Sequence, residues 1–173
     1  MKSRHTEKFI SDNQDNKTMV KEIYLSVMEA LLSLQDEDGE ALVKYVDLWN
    51  RNVEFIDQEA AWERPAVFVE FLPLVWEHAR APQGKTCSMR SQGAMRLHIV
   101  TDWHGSASSD EAAKVVRESL GRVDLGEAIE RALTGLYGKR FNRMYLVESA
   151  YSHDHEEIVE DVQSYRYVTW KEW

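Results

Sequence analysis

The sequence predicts an α+β domain of two layers: an antiparallel or mixed β-sheet, helices packed on one of its faces, and a long C-terminal β-hairpin. Three observations lead there. Apolar residues recur at three- and four-residue spacings over 18–35 and again over 109–138. Between these regions lie runs with the two-residue alternation of strands. After them come two further β-rich runs, "RMYLVESAY" and "IVEDVQSYRYVTW", joined by "SHDHEE".

Taken in order, the chain opens with the polar stretch 1–17, read as a flexible extension ahead of one domain over 18–173. It lacks the apolar core of a secretory signal. Val20, Ile23, Tyr24, Val27, Leu31 and Leu34 then form one stripe of an amphipathic helix, which "DEDGE" closes as a turn. "LVKYVDLWN" is a strand with Tyr45 and Trp49 on one face and Val46 and Leu48 on the other, as suits a sheet edge. In "RPAVFVEFLPLVWEHA", Val67, Val69 and Phe71 oppose Ala66, Phe68, Glu70 and Leu72, and Pro73 bends the strand. In "AMRLHIVTD", Met95, Leu97 and Ile99 oppose Ala94, Arg96, His98 and Val100. Two helices are expected next. Ser108 and Glu111 are placed as a capping box for the first, with Gly121 as its stop; Asp124 caps the second, which Gly138 ends. The hairpin follows, with Tyr145, Val147, Ser149 and Tyr151 read on one face. It is so polar on both faces that part of it is expected to project or meet another subunit.

Composition narrows the function classes. A hydrophobic share of 43% with 29% charged residues is ordinary for a soluble globular chain. No window approaches the ~20 apolar residues of a membrane-spanning helix, so no membrane partner is expected. A formal charge of −9 argues against a general binder of phosphate backbones, which presents a basic stripe. Cys87 is the single cysteine and sits in a loop-like stretch, which excludes an intrachain disulfide and a cysteine-rich zinc site.

Candidate chemistry centres on histidine and aspartate. His153, Asp154 and His155 form a ligand-type triplet, and His98, Asp102 and His104 a second. In an extended segment His153 and His155 point the same way about 7 Å apart, too far for a compact tetrahedral site. No glycine pattern of a phosphate-binding loop occurs, and no cofactor is expected. The six tryptophans lie mostly near strand ends, where the choice is between core plugs and interface anchors.

The stretches "EIYLSVMEALLSL", "VKYVDLW", "ERPAVFVEF", "MRLHIVTD", "LGEAIERALTGLYG" and "MYLVESAYSHDHEEIVEDVQSYRYV" resemble, in order, the tail terminator (tail completion) proteins of long-tailed bacteriophages and the related minor tail proteins of prophages. The resemblance covers approximately residues 20 to 170. It implies a virion structural protein without enzymatic activity, assembled in the host cytoplasm. That protein forms a homo-oligomeric ring, usually a hexamer, which caps the tail tube and joins it to head-completion proteins. DNA would pass through the lumen without specific binding, and acidic side chains lining that lumen would suit the passage. The polar extension and the helical piece over 109–120 depart from simpler members of the family. From strands with mixed faces, Trp49, Phe68, Trp76 and Tyr165 are the expected subunit contacts.

Two readings of other classes stand beside this one. One is a metal-dependent hydrolase built on His98, Asp102, His104, His153, Asp154 and His155, which must then converge on a metal. The other is a monomeric adaptor that binds a peptide along an exposed strand.

Overall fold

A computed structural model of the protein describes residues 18–51, 62–105, 107–152 and 158–173. Helix α1 (Met19–Leu32) begins at Thr18, whose side-chain oxygen accepts the amide of Lys21 as an N-cap, and it buries Ile23, Val27 and Leu31. Strands β1 (Tyr45–Leu48), β2 (Ala66–Phe71), β3 (Trp76–Ala79) and β4 (Ser88–Asp102) follow. Helix α2 (Ala113–Leu133) leads to β5 (Tyr145–Ser152) and β6 (Ile158–Glu172). The sheet runs in the order β1-β2-β4-β6-β5, with β3 pairing β4 beyond the end of β2. β1 and β2 are parallel and every other pair is antiparallel, so the sheet is mixed.

Both helices lie against one face. There Ile23, Val27, Leu31, Leu125, Ile129 and Leu133 meet Val67, Val69, Met95, Leu97, Ile99, Tyr165 and Tyr167 in one core. The opposite face, on which no described helix packs, carries a smaller cluster of Ala66, Phe68, Val100 and Ile158 under Tyr45, Trp49 and Trp62. The alternation read from β2 and β4 therefore assigns each side chain to its face.

Three expectations are corrected. The bent strand around Pro73 is two strands: β2 stops at Phe71, the amide of Leu72 reaches the Ala94 carbonyl, and the chain pairs again as β3. The two helices expected over 109–138 are one, running through Gly121 and Asp124 and ending at Leu133. Its N-cap is Ala112, with no side-chain cap, while Ser108 Oγ accepts from the amide of Asp110 instead. A glycine within a helix costs about 1 kcal/mol against alanine, a cost the buried second half of α2 absorbs.

The C-terminal hairpin is present, β5 pairing antiparallel with β6, and the third correction concerns only its place in the sheet. β6 is an interior strand, paired with β4 through fifteen residues in unbroken register and with β5 on its other side. Its polar side chains are buried because α2 and the following loop supply partners. Arg122 Nη1 donates to Asp161 Oδ1 at 2.6 Å, Gln163 Nε2 donates to the Gly126 carbonyl at 2.9 Å, and Thr169 Oγ1 donates to the Arg140 carbonyl at 2.7 Å. Tyr165 completes the chain by donating its hydroxyl to Gln163 Oε1 at 2.7 Å. A register shift between Leu146 and Glu148 also breaks the predicted alternation of β5, so that Tyr145 and Tyr151 fall on opposite faces.

Candidate assembly interface

The edges of the sheet are β1 and the four-residue β3 on one side and β5 on the other. An edge strand presents unpaired amides and carbonyls, and a monomer normally blunts it with charge, bulges or short length. β1 is short, with four residues. β5 is twice as long and keeps three large apolar side chains in water: Tyr145 is 50%, Val147 45% and Tyr151 59% exposed. Its bulge and the exposed Glu148 are the edge's only blunting devices among the described residues. Arg122 sits over the Tyr151 ring at 5.4 Å, so that aromatic is fixed in place at the surface rather than left to swing.

A second feature lies on the face without described helices. The His98 ring stacks on Trp49 with centroids 3.7 Å apart and planes 4° from parallel. Its Nδ1 meets Glu160 Oε1 at 2.5 Å and its Nε2 meets Glu70 Oε2 at 3.3 Å, while Arg96 Nη1 lies 3.5 Å from the same Glu70 oxygen. Thus β2, β4 and β6 and the residue that follows β1 are joined by one aromatic and ionic cross-tie.

This cluster does not form a metal site. Each ring nitrogen is already engaged by a carboxylate on its own side, so the three groups do not converge on one point. Asp102 is four residues along β4 from His98, about 13 Å away, and its Oδ1 accepts from Arg64 Nε at 2.5 Å. His104 is exposed beyond the strand. Among the described residues no group of three or more His, Cys, Asp or Glu is placed to hold a metal ion. His153, Asp154 and His155 lie outside the described residues.

No family model matches the chain, and no curated protein matches it. Among solved structures it is similar to a chain of the "Virion of native gene transfer agent (GTA) particle", at 12% identity and a TM-score of 0.44, over 89% of this chain and 100% of that one. At that score the likeness bears no functional weight.

The four contacts expected from sequence divide evenly. Phe68 and Tyr165 are each 0% exposed, enclosed by Tyr45, Trp49 and Trp62 in one case and by the helix-covered core in the other, so neither is available to a neighbouring subunit. Trp49 is half-buried on His98, and Trp76 is half-buried beneath the Lys171 ammonium, 4.3 Å from its ring. Part of the hairpin is expected from sequence to meet another subunit, yet the exposed Tyr145, Val147 and Tyr151 of β5 are not among the four named contacts, because the bulge hides their phase. Glu70 and Glu160 went unnoticed because they reach His98 only across the strand register: Phe68 and Val162, not the glutamates, stand directly opposite it.

Among the described residues no helix is long and apolar enough to cross a membrane.

Proposed function

We propose that this chain is a structural protein of a phage or prophage particle, without enzymatic activity, that self-associates into a ring at the end of the tail tube and joins it to the head. The assignment to a tail rests on the ordered resemblance of its stretches to tail terminator proteins. Self-association is supported by a single observation, the long edge strand β5 with Tyr145, Val147 and Tyr151 turned to solvent. In this reading the subunits repeat around a closed ring, the tail tube and head-completion proteins bind its two rims, and DNA slides through a lumen whose acidic walls do not hold phosphate. The protein resides in the host cytoplasm until it joins the virion tail.

Native mass spectrometry at several protein concentrations, with and without a chelator, tests this. A closed oligomer of about six chains that is indifferent to the chelator is the expected result. A monomer with one stoichiometric transition metal would overturn it in favour of the hydrolase.

A further inference from the structure

The protein's charge is unevenly placed. At the Ser88 end of β4, where β6 finishes, a cavity of about 460 Å³ is lined by Lys85, Lys139, Arg140 and Lys171 beside Trp170 and Trp173. The four cations come from three separate segments: the loop before β4, the loop after α2 and the end of β6. Glu172 is the one acidic side chain in the lining, in a chain whose formal charge is −9. The first residues of α1 close the wall and add the positive end of a 14-residue helix. The wall is well anchored. The main-chain oxygen of Trp173 accepts the amides of Thr86 and Cys87, and the Lys139 amide donates to Glu22 Oε1 at 2.6 Å. Among the described residues neither Lys85 nor Lys139 has an ion-pair partner.

An acidic turn lies at the opposite end of the molecule. α1 runs about 20 Å away from the cavity and delivers the chain to the turn over 36–40, "DEDGE". Asp36 Oδ1 accepts the amides of Asp38 and Glu40, at 3.0 and 2.8 Å, which shapes the turn and leaves Glu37, Asp38 and Glu40 exposed. Among the described residues these three carboxylates have no ion-pair partner either. The turn hangs at the far end of the sheet. Leu42, just after it, lines a cleft with Thr101 and Asp102, and the Lys44 amide donates to the Pro65 carbonyl, next to the Ala66 and Val100 pair.

We propose that the basic cavity receives the acidic 36–40 turn of a second copy of this chain, head to tail. The proposal rests on the self-association put forward above and adds to the β5 edge a second contact between subunits. Two unlike patches at opposite ends make a heterologous interface, which closes into a ring when the rotation per subunit permits. Trp170 and Trp173 supply apolar walls that lower the local dielectric around the paired charges, and complementary patches set register and speed encounter.

The test uses the full chain and sedimentation velocity. One variant reverses the cavity (Lys85→Glu, Lys139→Glu) and another reverses the turn (Glu37→Lys, Asp38→Lys, Glu40→Lys), with Asp36 kept because it shapes the turn. All five side chains are exposed, and circular dichroism checks each fold. Each variant alone is expected to associate at least about tenfold more weakly than the parent, and raising salt from about 0.05 to about 0.5 M should weaken the parent's association. An equimolar mixture of the two variants should assemble again, because each then offers the charge its neighbour lacks. If the parent assembles and both variants assemble equally well, this contact is wrong while the ring reading stands. If the parent stays monomeric at every concentration and salt, both fall together.

Discussion

Tyr165 and Tyr167 stand two residues apart on the same face of β6, and both are fully buried in the same core. Their rings therefore lose similar contact when only the hydroxyl is removed. Their hydroxyls differ. That of Tyr165 donates to Gln163 Oε1, whose amide nitrogen in turn holds the Gly126 carbonyl of α2. That of Tyr167 has no hydrogen-bond partner among the described residues. Tyr165→Phe leaves the buried Gln163 oxygen unpaired, at an expected cost of about 1–2 kcal/mol, while Tyr167→Phe removes an unpaired buried hydroxyl and should stabilise by about 1 kcal/mol. For a chain of this size those changes correspond to a fall of roughly 2–8 °C and a rise of roughly 2–4 °C in Tm. Urea unfolding followed by tryptophan fluorescence reads the same contrast as midpoint shifts of opposite sign at constant slope. If Tyr167→Phe lost as much stability as Tyr165→Phe, the Tyr167 hydroxyl would be bonded in solution and the account of this core would be wrong.

Three further outcomes are expected. Gly93→Ala would place a methyl group inside the ring of Tyr167, which is enclosed and has nowhere to turn, and should cost about 2 kcal/mol; a double-mutant cycle with Tyr167→Leu should recover part of it. His98→Leu would strip the bridge from Glu70 and Glu160 and the stack from Trp49, lowering the urea midpoint by the equivalent of about 3 kcal/mol. Burial raises the Tyr167 hydroxyl to about 12 and raises that of Tyr165 further, with Glu130 adding to the latter. Because the unfolded tyrosines release their protons near 10 while the folded ones keep theirs, stability contributed by these groups is full below about pH 10 and falls as pH rises toward 12, and Tyr167→Phe should flatten that fall.

Much of the sheet was legible in the sequence, for a reason confined to its centre. In β2 and β4 both faces are buried by different neighbours, so each residue's parity alone assigns it to a core. Elsewhere local rules competed with tertiary partners. Gly121 and Asp124 carry the local marks of a stop and a cap, yet Leu125, Ile129 and Leu133 are held by the sheet strongly enough to carry one helix across both. β6 looked too polar for an interior strand because its partners, Arg122 and the Gly126 carbonyl, lie on a helix some forty residues earlier. The cross-tie at His98 depends on a register in which Glu70 and Glu160 approach from diagonal positions, and no residue type announces such a register. The bulge near Val147 likewise changes parity within one strand, turning a single apolar row into two.

The form of the exposed edge bears on which kind of assembly it favours. Two copies joined through β5 about a two-fold axis would form a continuous antiparallel sheet, the simplest use of an open edge. Centring that axis on the eight residues of β5 would bring Glu148 of each copy beside the other, across the same bulges that break the ladder. Like charges placed together in a strand pair are destabilising, and a bulge on both sides removes the hydrogen bonds that would offset them. The edge is therefore poorly suited to pairing with itself. Tyr145, Val147 and Tyr151 remain exposed and apolar, and they are best covered by a different surface of a neighbour. A contact between unlike surfaces is the geometry that rings require, and it is the same relation that the basic cavity and the acidic turn satisfy from opposite ends of the chain.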